Sequence, residues 1–159
     1  MAHINNETIT LHTIVERTDE LIDTLTELWE ASVRATHDFV PEEILFEMRE
    51  CLPNTFTYIH PLIVAKNEEN IPVAFLGAED EFLEMLFVRP EYIGKGIGSK
   101  LMEYAIDNLG IEILTVNEQN PNAVGFYEHL GFKAFRRTER DGEGYPFPLI
   151  YMRYSGGIL

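Results

Sequence analysis

Three closely spaced glycines, at positions 94, 96 and 98, are the residues whose spacing is best suited to chemistry. They lie between a strand-like run that ends at Val88 and a run with helical spacing that includes Leu101. Glycines permit positive φ angles and a close approach of the backbone, and a helix N-terminus carries about half a positive charge. The loop is therefore suited to a phosphate group, although a purely structural turn has the same composition.

The spacing of this loop excludes two common nucleotide-binding motifs. The Walker motif requires G-x-x-x-x-G-K-[ST], whereas Gly98 is followed by Ser-Lys-Leu. The dinucleotide motif requires G-x-G-x-x-G after the first strand of a βαβ unit, whereas this loop reads G-x-G-x-G late in the chain. ATP and NAD are therefore poor candidates for its ligand.

Two motifs at a suitable separation resemble a known family. Residues 86–101 read LFVRPEYIGKGIGSKL, and residues 120–132 read NPNAVGFYEHLGF. Together they resemble the GCN5-related N-acetyltransferase superfamily, with a match over roughly residues 62–132. Residues 35–39, 116–120 and 145–149 are similar to a narrower bacterial group of acetyltransferases within it.

This resemblance implies that acetyl-CoA is the acetyl donor and assigns residues to its binding. The loop amides would hold its pyrophosphate, and they belong to Gly94, Lys95, Gly96, Ile97, Gly98 and Ser99. The strand edge at Leu86, Phe87 and Val88 would pair with the pantetheine arm. Asn120 matches a family asparagine near the cofactor but is equally well explained as a helix N-cap, and Asn117 is a second polar candidate. The family has Arg or Gln where this chain has Ile93, so Lys95 or backbone amides are expected to contribute more of the phosphate contact.

Acetyl transfer to an amine requires a neutral nucleophile, donors for the developing oxyanion and an acid for the leaving thiolate. Tyr127 occupies the position that resembles the family's general acid, and packing beside the sheet is the alternative role for this aromatic residue. A strand amide at Leu86 or Phe87 is the expected oxyanion donor.

Candidates for the base and for the acceptor site come from two parts of the chain. Glu84 lies two residues before Leu86, so strand alternation places the two on one face and makes Glu84 the first candidate base. His37 competes for this role, and Asp38, Phe39 and Tyr145 are expected to contact the acceptor. Local capping and turn hydrogen bonds are the alternative for His37 and Asp38, and protection of a sheet edge by proline is the alternative for the segment at Tyr145. The histidines show no metal-ligand spacing, and no metal is predicted.

The elements that position these residues follow from periodicity and from capping residues. Helices are predicted over residues 19–35, from Pro41 to a point before Pro53, over residues 101–109 and over residues 121–129. Strands are predicted over residues 8–15, 62–66, 71–78, 82–88, 111–116, 132–138 and 147–154. This order predicts an α/β (α+β) fold, with a mixed, mostly antiparallel sheet of about seven strands flanked by about four helices, in one domain over residues 1–159.

Composition limits the possible partners. The chain has 12 Lys and Arg against 27 Asp and Glu, a net charge of −15, which argues against a nucleic-acid surface. Between residues 18 and 84 there are sixteen acidic and three basic residues. This excess of acidic residues either keeps helix faces in contact with solvent or attracts a cationic acceptor. Cys51 is the only cysteine, and neither a secretion leader nor a membrane span is recognised, so a cytoplasmic location without membrane contact is expected.

The sequence therefore predicts an acetyl-CoA-dependent N-acetyltransferase that modifies a primary amine by direct attack in a ternary complex. The acceptor is either a small amine or a protein lysine, and the protein is expected to be a monomer or a homodimer. The alternative is a catalytically silent acyl-CoA-binding protein that acts as a sensor or interaction module.

Overall fold

Seven strands and four helices occupy most of residues 7–156, the part of the chain that the computed structural model describes. The strands are β1 (Thr10–Thr13), β2 (Leu62–Lys66), β3 (Pro72–Glu79), β4 (Phe82–Val88), β5 (Ile113–Asn117), β6 (Phe132–Thr138) and β7 (Leu149–Tyr154). The helices are α1 (Asp19–Thr36), α2 (Glu42–Tyr58), α3 (Ile97–Tyr104) and α4 (Pro121–His129). A π-helical turn, Ala105–Leu109, continues α3 to the left-handed Gly110.

The strands form one sheet in the order β1-β2-β3-β4-β5-β7-β6. Only β4 and β5 pair in parallel, and the other neighbours are antiparallel. This arrangement confirms the predicted fold class and the mixed, mostly antiparallel sheet.

Each face of the sheet has its own apolar core. The α1 and α2 side contains Leu25, Leu28 and Phe56 packed on Phe75 of β3, with Phe87 of β4 partly buried against them. On the other side, Leu101 and Met102 of α3 pack with buried residues of β2, β3 and β5. Within residues 7–156, none of the helices is long and apolar enough to cross a bilayer.

Strand β1 is two residues shorter at each end than predicted, and β5 begins at Ile113 rather than at residue 111, because the Ile111 amide donates to the Ala105 carbonyl of the π-helical turn. The predicted end of α2 and start of β7 are also wrong, because tertiary packing or proline decides them. Helix α2 does not end before Pro53 but continues to Tyr58, since Leu52 and Phe56 are buried on either side of that proline. Burial of two such side chains is worth about 1.5–3 kcal/mol each and offsets the cost of about 3 kcal/mol for an interior proline. Strand β7 begins at Leu149 rather than at Phe147, because Pro148 cannot donate a hydrogen bond to the sheet.

Candidate active site

The site is built around a gap between β4 and β5. These strands pair only at Phe82 with Ile113 and at Leu83 with Leu114. Beyond that point β4 continues along β3, whereas β5 continues along β7. The separation leaves one edge of β4 unpaired between the two halves of the sheet.

The hydrogen-bond register shows which groups of β4 face this gap. The Arg89 amide donates to the Val73 carbonyl at 2.8 Å, and the register pairs Ala74 with Val88. Because backbone groups alternate in direction along a strand, the amide of Phe87 also faces β3, and those of Leu86 and Val88 face the gap. Of the two amides predicted as oxyanion donors, the Leu86 amide is therefore the one in a suitable position.

A β-bulge interrupts β4 at Glu84. Gly77 of β3 pairs with Met85 and Ala78 pairs with Leu83, so Glu84 is the extra residue. Leu83 packs in the same core as Leu86 and Val88, although regular alternation would place it on the opposite face. Alternation therefore cannot place Glu84 relative to Leu86, but both residues line the same cavity.

A cavity of about 550 Å³ lies in the gap, and most of the candidate residues line it. Its lining includes His37, Glu84, Leu86, Phe87, Val88, Gly94, Gly96, Gly98, Ser99, Asn117, Asn120 and Tyr127. It does not include the candidates Lys95, Ile97, Asp38, Phe39 and Tyr145. Within the described residues, no three His, Cys, Asp or Glu side chains are grouped as a metal site requires.

The glycine loop forms one end of this cavity. Gly94 and Gly96 have φ angles of +84° and +85°, which L side chains rarely adopt, and Gly96 is the N-cap of α3. A Cβ built on either glycine would meet no atom within 4 Å. The first amides of α3 have no partner within the helix, so this end has room and donors for a phosphate group.

The side chains beside the loop differ in what they offer an anion. Lys95 places its Nζ atom 5.1 Å from the centroid of the Tyr92 ring, a cation–π contact. Ile93, at the position where the resemblance leads one to expect Arg or Gln, is 48% exposed and offers no hydrogen bond. Lys95, although it does not line the cavity, can therefore supply a cation beside the loop, whereas residue 93 cannot.

Asn120 caps α4 and also lines the cavity. Its Oδ1 atom accepts a hydrogen bond of 3.4 Å from the Ala123 amide, so the predicted capping role is present. Its Nδ2 group donates to no protein group within residues 7–156, which leaves a donor for a ligand. Asn117, at the end of β5, forms a second amide side chain on the same wall.

Tyr127 has the surroundings of a phenol held in its neutral form. It is 8% exposed and packs edge-on against Phe126 and Phe132. Burial raises the pKa of Tyr127 well above its usual value of 10. Its hydroxyl makes no hydrogen bond to another group of the described chain, and the residue contacts the cavity.

His37 follows α1 and presents one ring nitrogen as an acceptor. The single proton of the Thr36 hydroxyl is donated to the Ser32 carbonyl at 2.8 Å, so Thr36 Oγ1 accepts from His37 Nδ1 at 2.7 Å. This arrangement assigns the proton to Nδ1 and leaves the lone pair on Nε2. Burial lowers the pKa of His37, against the opposing effect of Asp38, and the ring lies beside Phe39 and Phe87.

Glu84 is the candidate carboxylate in the cavity wall. Glu84 is exposed to solvent on part of its surface, and partial burial first, and then the negative charge of Glu79, raise the pKa of its carboxyl above its usual value. The raised pKa brings this carboxylate closer to the range in which a general base works near neutral pH.

Tyr145 joins the β6–β7 connection to α2 rather than lining the cavity. Its hydroxyl donates to Glu47 Oε1 at 2.6 Å, and this hydrogen bond is the main cause that raises the pKa of Tyr145 to about 12. Phe147 of the same connection packs edge-on against Phe39 at 5.5 Å. Phe39 and Tyr145, which were predicted to contact the acceptor substrate, therefore hold neighbouring segments of the chain together.

Several residues that line the cavity were not predicted from the sequence. They are Ser32, Thr36, Thr115, Asn122 and Phe126, among others. Ser32 is buried within the apolar stripe of α1, and a polar residue in such a stripe is a detectable signal. Asn122 and Phe126 lie inside the second motif, whereas nothing local distinguishes Thr115, which is exposed to the cavity by the separation of β4 and β5.

Comparison with known proteins identifies the family of this chain. The model of the "Acetyltransferase (GNAT) domain" family matches residues 59–134. Escherichia coli (strain K12) has a protein named peptidyl-lysine N-acetyltransferase YjaB that is 41% identical over 133 residues, which cover 83% of this chain and 89% of that protein.

Solved structures show the same relationship. The solution structure of apo-form YjaB from Escherichia coli superposes with a TM-score of 0.84 at 36% identity, covering 94% of this chain and 99% of that one. A PaiA N-acetyltransferase from Thermoplasma acidophilum, solved in complex with coenzyme A, shares the fold with a TM-score of 0.69 at 22% identity, over 92% and 99% of the two chains. The chain belongs to the GNAT family of N-acetyltransferases, which take the acetyl group from acetyl-CoA.

Proposed function

We propose that this protein acetylates the ε-amine of lysine side chains in polypeptides, by direct attack on acetyl-CoA in a ternary complex. The observation that carries the proposal is the cavity in the gap between β4 and β5. Its lining includes the glycine loop before α3 and His37 after α1, and these helices pack on opposite faces of the sheet. A donor and an acceptor that enter from opposite faces can meet there without displacing each other.

Two further observations support a lysine acceptor over a small amine. A relative that matches most of this chain is named a peptidyl-lysine N-acetyltransferase. Helix α2, which follows His37, carries Glu42, Glu43, Glu47 and Glu50. Glu42 pairs with Arg34 and Glu47 accepts the Tyr145 hydroxyl, whereas Glu43 and Glu50 have no such partner within residues 7–156. These carboxylates favour a cationic acceptor, and the named activity of the relative favours a lysine side chain over a small amine.

The cofactor contacts belong to the loop and to the gap edge of β4. Acetyl-CoA supplies the acetyl thioester. The amides at the start of α3 bind its pyrophosphate, Lys95 adds a positive charge, and Leu86 and Val88 offer backbone groups to the pantetheine arm. Asn117 and the Nδ2 group of Asn120 donate further hydrogen bonds on the same wall.

Three groups of the chain carry the chemistry. Glu84 attracts the acceptor ammonium and removes its proton, a role that suits a carboxylate better than the neutral His37 ring between Phe39 and Phe87. The Leu86 amide stabilises the developing oxyanion. Tyr127 donates its proton to the departing sulfur, and the cavity that raises the pKa of this phenol also disfavours a thiolate, so the two acidities remain comparable.

The proposal is tested by titrating the purified protein with acetyl-CoA and then assaying acetyl transfer to three acceptors. These are a peptide with one internal lysine and a blocked N-terminus, the same peptide with arginine in place of lysine, and a small diamine. We expect one-to-one binding and acetylation of the lysine peptide at the ε-amine, with no product from the arginine peptide and slower reaction of the diamine. Transfer only to the diamine would overturn the polypeptide acceptor, and binding without transfer to any amine would favour the silent acyl-CoA-binding alternative.

We also propose that the domain spans residues 1–159 and acts in the cytoplasm as a monomer or homodimer. The presence of a single cysteine supports a reducing compartment.

A further inference from the structure

Among residues 7–156, no helix covers one face of β5, β6 and β7. Helices α1 and α2 pack over β2, β3 and β4, and their apolar core contains no residue of β5, β6 or β7. On these strands, Leu114 of β5, Phe132 of β6, and Ile150 and Met152 of β7 pack toward the opposite side, with α4. Their neighbours in sequence therefore point to the uncovered face, which adjoins the cavity at Thr115 and Leu149.

Two arginines are held on this face by aromatic rings. Arg136 lies 4.9 Å from the centroid of Tyr151, and Arg153 lies 4.8 Å from the centroid of Phe135. Phe135 and Tyr151 are themselves in edge-on contact at 6.2 Å. We call these four residues the arginine face.

The arginine face is unusual in a chain that carries a net charge of −15. Within residues 7–156, no carboxylate lies within 4.0 Å of Arg136 or Arg153, and neither guanidinium donates a hydrogen bond to a protein group. Arg137, the next residue along β6, instead pairs with Glu118 at 2.7 Å and with Glu139 at 2.8 Å. Acids are abundant, yet these two arginines keep their donors available to solvent.

We propose that the arginine face binds a carboxylate of the acceptor polypeptide, close in sequence to the lysine that is acetylated. This inference rests on the proposed lysine acceptor and adds a preference for its neighbours. A guanidinium supplies paired donors that match a carboxylate, and its stacking on an aromatic ring limits the rotamers that must be ordered on binding.

The register of the sheet sets the spacing of this carboxylate from the lysine. Thr115 lines the cavity, its partner on β7 is Tyr151, and the partner of Tyr151 on β6 is Arg136. Neighbouring strands are about 4.8 Å apart, so Arg136 lies about 10 Å from the cavity wall, a distance that an extended peptide covers in about three residues. The preferred acceptor therefore has Asp or Glu about two to four residues from its lysine.

The experiment compares kcat/KM for lysine peptides that differ at one position, at an ionic strength of about 0.15 M, where charges further apart than about 8 Å are largely screened. Glu is placed three residues before or three residues after the lysine, and the matched peptides have Gln or Lys there. We expect the better Glu peptide to exceed its Gln counterpart by about fivefold, the upper range for an exposed ion pair. In the Arg136→Gln/Arg153→Gln variant this ratio should fall to about one, and in Arg136→Glu/Arg153→Glu the Lys peptide should become preferred.

Arg137→Gln is the matched control, because it removes a guanidinium from the same strand but from the opposite face. It should keep the wild-type ratio. Equal kcat/KM for the Glu and Gln peptides in the wild-type protein would overturn the inference while leaving the proposed function intact, since the Gln peptide would still be acetylated. Failure of every lysine peptide would overturn both.

Two other uses of the arginine face would also overturn the inference. If the double Gln variant weakened acetyl-CoA binding in calorimetry, the arginines would belong to the cofactor site. If it converted a wild-type dimer into a monomer in sedimentation, the arginine face would be an interface between two copies of this chain.

Discussion

Tyr127 is buried, carries a neutral phenol and lines the cavity. Removal of its hydroxyl oxygen alone therefore tests its proposed role as the general acid. In Tyr127→Phe the ring still packs against Phe126 and Phe132, and no hydrogen bond to a described protein group is lost. We expect kcat to fall about 100-fold, as for loss of a general acid, while the Kd for acetyl-CoA and the Tm change little. Tyr104→Phe on α3, which packs on the same core but does not line the cavity, is the control. A Tyr127→Phe enzyme with wild-type kcat would show that another group protonates the sulfur.

Glu84 and His37 are the two proton acceptors in the cavity wall, and matched amide variants separate them. We expect Glu84→Gln to lower kcat/KM at least about 100-fold and His37→Gln to lower it less than about tenfold. Because burial raises the pKa of Glu84, wild-type kcat/KM should fall as pH decreases through an apparent pKa above 4.5, where the carboxylate gains its proton. In Glu84→Gln only the amine that is already neutral reacts, so kcat/KM should keep rising toward the lysine pKa of about 10.4. The opposite ranking of the two variants would transfer the role to His37.

At the scale of elements, the glycine loop depends on backbone conformation rather than on side chains. Gly96→Ala adds a methyl group in open space but requires an L residue at a φ of +85°, which costs about 1–2 kcal/mol. We expect the loop to relax and acetyl-CoA to bind about five- to 30-fold more weakly, as that cost implies. Gly142→Ala is the control, since its added Cβ also meets nothing within 4 Å and its φ is not in the left-handed region. Unchanged calorimetric binding in Gly96→Ala would show that the loop conformation is not needed for the cofactor.

The helices and strands also differ in how well the sequence predicts their positions. Local signals placed α1 and α4: Asn120 caps α4 as expected, and the side chain of Thr18 caps α1 at its predicted start. These signals also predicted the order of strands and helices along the chain, and from it a mixed sheet, but not the order of the strands within that sheet. The end of α2 could not be predicted, because burial of Leu52 and Phe56 by distant residues outweighs Pro53. The bulge at Glu84 and the exposure of Thr115 in the gap likewise depend on pairing between strands, which no local pattern reports.

Over the whole molecule, the net charge of −15 should act in opposite directions on the two substrates. Acetyl-CoA carries phosphates and is repelled at long range, whereas a peptide with several lysines is attracted. The Debye length falls from about 30 Å at 0.01 M to about 8 Å at 0.15 M ionic strength, so added salt removes most of both effects. We therefore expect the association rate constant of acetyl-CoA to increase about two- to fivefold over this range, and kcat/KM for a lysine-rich peptide to decrease. Stopped-flow binding and steady-state kinetics measure the two. A decrease in the acetyl-CoA association rate would show that the local field of Lys95, Lys100 and the α3 N-terminus outweighs the charge of the molecule as a whole.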